Sequence, residues 1–116
     1  MAKFEFNEHA FTFDPFEADS AELYQNELDA VIKRGDEIKP TDTVAERIRK
    51  ECKSVFIFLD ALFGEGAHRI IFGESVNVKT ALLVFEQVTT TITKELEDFN
   101  ASYNQRAKKA SVKGKK

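Results

Sequence analysis

The chain has 116 residues, one domain's worth of material, and its 42% hydrophobic share leans on eleven Phe with no Trp. A single cysteine, Cys52, excludes an intramolecular disulfide, no apolar N-terminal run resembles a signal peptide, and the longest apolar runs, Val55 to Leu59 and Ala81 to Phe85, fall far short of the roughly 18 residues that cross a membrane. The net charge of −3 conceals a basic end, since Arg106, Lys108, Lys109, Lys113, Lys115 and Lys116 lie in a stretch without acids and leave residues 1–103 with 11 basic against 20 acidic side chains, a −9 body that repels nucleic acid.

Phe4 and Phe6 alternate with charged neighbours, and after Asn7, Glu8 and His9 the alternation resumes with Phe11 and Phe13. That period of two around turn residues predicts a short β-hairpin, marginal alone, whose aromatic face must lie on helices or on a second copy. Asp14 and Pro15 end it, because proline removes a donor and restricts the residue before it. From Asp19 to Ile32 the apolar positions Ala21, Tyr24, Leu28 and Val31/Ile32 recur at helical spacing, with acids early and Lys33 and Arg34 late, as the helix dipole favours.

A polar connector holding Pro40 leads to Thr43 and Glu46, at capping-box spacing, where a second helix starts. Its expected buried face is Val44, Ile48, Cys52, Val55, Phe56, Leu59 and Phe63, and the succession Phe56, Ile57, Phe58 implies burial on more than one side. Gly64 stops this helix. The stretch Glu65 to Gly73 reads as a short helical turn packed onto the domain. A further helix begins near Ser75 or Asn77, with Leu82, Phe85, Val88, Ile92, Leu96, Phe99 and Tyr103 forming the strongest periodic stripe in the chain. Beyond Tyr103 the period stops, so residues 104–116 read as a flexible basic tail. The expectation is one mainly α domain over 1–103, three to four helices with an N-terminal hairpin.

Candidate chemistry is sparse. His9, Cys52 and His68 have no ligand-type spacing, so no metal is expected. Cys52 lies on an apolar stripe and reads as a core residue, and His68 between two glycines reads as an exposed polar turn. Gly64, Gly66 and Gly73 match neither a phosphate-cradling loop nor a dinucleotide fingerprint. The carboxylate pairs sit on solvated helix faces. No cofactor and no catalytic group is expected.

The segment Phe63-Gly64-Glu65-Gly66-Ala67, followed by Ile71-Phe72-Gly73, resembles the signature of tail assembly chaperones of long-tailed phages and prophages of Gram-positive bacteria. The acidic helical body, the helix after the second Phe-Gly and the polar end Tyr103-Asn104-Gln105-Arg106 agree with that family, and the likeness runs from about Val55 to Lys109. The resemblance implies a non-catalytic protein of the bacterial host cytoplasm, absent from the mature virion, which binds the tape measure protein and keeps it soluble while the tail tube assembles. It further implies the tail tube protein and a second copy as possible partners, and the Lys-rich end is compatible with a slippery message that appends a second domain. Phe63 and Phe72 each precede a glycine at the edge of the helical body, so Phe63, Ile71 and Phe72 are the candidate partner-binding residues. The rival expectations are a structural virion component, such as a head-tail connector or tail completion protein, and a small regulatory nucleic-acid binder using the basic tail, which the acidic body opposes.

Overall fold

The N-terminal alternation forms an antiparallel hairpin of β1 (Ala2–Phe6) and β2 (His9–Phe13) in the computed structural model, which describes the backbone of residues 1–114 and the side chains of residues 1–109. Phe4 pairs with Phe11 and Phe6 with His9, so the connection is the two residues Asn7 and Glu8, both at positive φ (49° and 64°). Such a turn matches the twist of the flanking strands. Ala2, Phe4, Phe6 and Phe13 point inward and are buried.

Among the described residues four helices follow, α1 (Ala18–Gly35), α2 (Val44–Phe63), α3 (Ala67–Phe72) and α4 (Val78–Gly114). The architecture is therefore mainly α with a short N-terminal hairpin. α1 runs about a turn longer than its apolar period, and its ambiguous pair resolves with Val31 half-buried and Ile32 73% exposed. The guanidinium of Arg34, in its last turn, donates from Nε to the Ser54 hydroxyl and from a terminal nitrogen to the Ser54 carbonyl, both at 2.9 Å, which ties α1 to the middle of α2.

Thr43 caps α2 by accepting the Glu46 N–H at 3.1 Å, as the capping-box spacing predicts. Val44, expected on the buried face, is instead exposed, because residues 43–47 all face solvent before the helix reaches its neighbours. The middle and end of α2 are the heart of the core, with Cys52, Phe58 and Leu59 fully buried against Tyr24 of α1, the hairpin rings, and Ala81, Val88 and Ile92 of α4. Phe56 is half-buried and Ile57 is exposed, so the apolar triplet is covered on the Phe58 side and only partly elsewhere.

Asn77 caps α4, its side-chain oxygen accepting the Thr80 N–H at 3.1 Å. The expected stripe is buried only in its middle. Ala81 rather than Leu82 faces inward at the start, and at the far end Phe99 and Tyr103 are 51% and 60% exposed. The backbone does not leave the helix after Tyr103. It continues helically to Gly114 with the side chains of residues 104–109 exposed, an unpacked extension that the strong helix formers Ala, Gln, Arg and Lys sustain. The expected flexible tail thus starts as helix, and its last two residues lie outside the described ones. At about 1.5 Å per residue, α4 accounts for most of the molecule's 67 Å length.

Candidate partner-binding site

The glycine-bounded connector folds back on the helix before it. Gly64 takes φ 109° and ψ 155° and ends α2, while Gly66 at φ 85° is left-handed and starts α3. The reversal brings His68 over Asp60, one turn before the end of α2. One Asp60 oxygen accepts the His68 backbone N–H at 2.9 Å, and the carboxylate lies 2.8 Å from the ring Nδ1. Asp60 therefore satisfies an early backbone donor of α3 from a neighbouring helix while fixing the imidazole. The His68 ring stacks on Phe56 at 4.7 Å, and Phe72 packs against the same Phe56 at 5.2 Å. His68 is accordingly a half-buried, paired residue rather than the exposed polar turn expected from its glycine neighbours.

Asn7 at the hairpin turn donates its side-chain amide to the Ile70 carbonyl at 2.9 Å, so the hairpin holds the outer side of α3. Between α2, α3 and the loop before α4 a cleft of about 280 Å³ opens, lined by Phe56, His68, Arg69, Gly73, Glu74, Ser75 and Val76. That volume lies at the low end of ligand pockets, enough for one or two side chains of a partner. Val76 at its rim is 50% exposed, and Ile57 and Ile70, on the elements that form the cleft, are 39% and 41% exposed.

Residues 7–115 match the family of unknown function DUF6673. The chain belongs to this family. The matched range takes in β2, all four helices and the whole cleft. No curated protein and no solved structure matches the chain.

Within this family member the three candidate partner residues separate. Ile71 is buried in the core, 9% exposed, so it closes α3 onto α2 and offers no surface. Phe63 is half-buried among the hairpin rings, 5.6 Å from Phe4 and 5.2 Å from Phe11. Phe72 is half-buried on Phe56. The two Phe-Gly rings thus serve different neighbours and form no common wall, because Phe63 still belongs to α2 while Phe72 ends α3. The apolar lining of the cleft comes from Phe56, expected on the buried face of the second helix, and from Val76, expected at the start of the last one. Cys52 lies at 0% exposure, and burial pushes its thiol above the ordinary range, as suits a small core side chain. Among the described residues no three His, Cys, Asp or Glu side chains converge as a metal site requires, and no helix is long and apolar enough to cross a membrane.

Proposed function

We propose that the protein is a non-catalytic tail assembly chaperone of a phage or prophage, which binds the tape measure protein in the host cytoplasm and is absent from the finished virion. The observation that carries this reading is the cleft that Phe56 of α2, His68 and Arg69 of α3 and Val76 line, beside the connector whose two Phe-Gly elements resemble those of such chaperones. A tape measure protein is a long helical chain with apolar stripes, and such stripes aggregate unless covered. A small cleft with Phe56 and Val76 as its apolar part and His68, Arg69 and Glu74 as its polar part, together with Ile57 and Ile70 exposed on the helices that form it, suits docking of a client helix through one or two anchor side chains.

Co-expression with the tape measure protein encoded by the same phage or prophage tests the proposal. The tape measure protein is expected to be soluble and to co-purify with the wild type, and to lose both properties with Val76→Asp, which places a charge at the exposed cleft rim without touching the core. Equal solubility with and without the chaperone overturns the function, whereas wild-type rescue that survives Val76→Asp moves the client to another surface. A structural virion component would instead be retained in purified particles.

A further inference from the structure

A second concavity lies where the end of α1, the middle of α2 and the start of α4 meet, and it shares no lining residue with the cleft beside α3. Its volume is about 200 Å³, below the range of pockets for drug-sized ligands and enough for a single apolar side chain. Val31, Ile38, Val55, Leu82 and Phe85 form its walls. Val55 is buried, Val31, Ile38 and Phe85 are half-buried and Leu82 is 46% exposed, so the apolar surface runs from the core out to solvent.

Arg34, Lys50 and Glu51 bring charge to the same lining. Lys50 is neutralised by Asp42 at 2.8 Å, and Glu51 is paired with Arg47 at 3.5 Å. Arg34 has no carboxylate within ion-pair distance among the described residues. Two of the five N–H donors of its guanidinium are spent on Ser54, and the others have no acceptor among the described residues. The half-buried cation is thus held in place, but not neutralised, beside an apolar hollow. The charged residues next in sequence to the lining are Lys33, Asp36, Glu37, Lys39, Arg49, Lys53 and Glu86, all exposed, and with more bases than acids they do not oppose an anion. An occupant that fits both features carries an apolar body and a carboxylate, whose two oxygens match the guanidinium fork. We infer that the pocket receives the C-terminal end of a partner polypeptide whose last residue is apolar, with the α-carboxylate on Arg34 and the side chain among Val55, Leu82 and Phe85. Arg34 is tied to Ser54 and the wall residue Val55 is next in sequence, so the anion and the apolar group of the occupant lie about one residue apart. Inside a chain, successive side chains point to different sides of a helix or strand and cannot fill both positions. The last residue of a chain carries both groups on one Cα. A neutral apolar end would desolvate the guanidinium further without pairing it, which costs rather than stabilises.

Amide chemical-shift mapping on the full chain, with the peptide acetyl-Gly-Leu as probe, tests this. Saturable shifts are expected at Gly35, Ser54, Val55 and Leu82. Acetyl-Gly-leucinamide, which lacks the carboxylate, and acetyl-Gly-Gly, which lacks the side chain, are each expected to bind about tenfold or more weakly. Leu82→Asp, at the exposed wall, should keep the circular dichroism of the wild type and weaken acetyl-Gly-Leu by a similar factor. Arg34→Gln, which can still donate to Ser54, should bind the acid and the amide alike. The absence of saturable shifts at millimolar probe overturns the inference, as do equal affinities of the wild type for acid and amide or a Leu82→Asp protein that binds acetyl-Gly-Leu unchanged. Binding of isocaproate, the free acid with the same side chain, without binding of acetyl-Gly-Leu overturns the chain end as occupant. Should Arg34→Gln fail to fold, the ratio of acid to amide affinity in the wild type decides the role of charge by itself.

Discussion

Gly64 sits at φ 109° and ψ 155°, a backbone region open essentially to glycine alone. A Cβ there would meet no heavy atom within 4 Å, so the cost of a side chain is conformational and not steric. Gly64→Ala is expected to destabilise the protein by about 1–3 kcal/mol in denaturant unfolding, with an unchanged slope. Its role could be read from an apolar helical period ending in Phe-Gly. The partner of the neighbouring His68 could not. Asp60 lies eight residues earlier, a separation that on a continuous helix would hold the two side chains about 12 Å apart along the axis, and only the reversal at Gly64 and Gly66 brings them within 2.8 Å. Asp60→Ala leaves the His68 backbone N–H and ring without their acceptor and is expected to cost about 1–3 kcal/mol, seen first as faster amide exchange in α3.

Among the elements, the connector between α1 and α2 is held chiefly by charge and hydrogen bonds. Lys39 donates its backbone N–H to Asp42 at 2.9 Å, and Lys50 from α2 donates to the same carboxylate at 2.8 Å and to the Glu37 carbonyl at 2.9 Å. The backbone hydrogen bond, then the Lys50 ammonium, hold the Asp42 carboxyl below its usual range. A carboxyl lowered on folding contributes stability that is complete above its unfolded value and is lost as pH falls through the folded one. The thermal midpoint of the wild type should therefore drop more steeply between pH 5 and pH 3 than that of Asp42→Asn. α4 shows the limit of periodicity in another way. The spacing of Val88, Ile92, Leu96, Phe99 and Tyr103 tells which residues share a face, and they do. It does not tell how far along that face the neighbouring elements reach, which is set by the lengths of α2 and the hairpin, and so Phe99 and Tyr103 continue the stripe yet stand outside the core. The cleft was hidden for a similar reason, since Phe56 is apolar among apolar neighbours and its half-exposure follows from where α3 lands.

The whole molecule is a short body with one long helix leaving it, and its stability should divide accordingly. Truncation after Tyr103 removes side chains that are exposed through residue 109 and is expected to leave the thermal midpoint nearly unchanged at low micromolar concentration. Phe58→Ala, at the centre where α1, α2, α4 and the hairpin meet, should cost about 3–5 kcal/mol. The depth of Cys52 in that same centre makes the protein its own clock. Its one thiol has no exposed surface in the folded state, so a thiol-reactive dye can reach it only in the moments when the helices part. The labelling rate, followed with reagent in excess, then reports the population of open molecules, and the slowing of that rate by a bound client would measure how tightly it holds the body shut with no engineered cysteine.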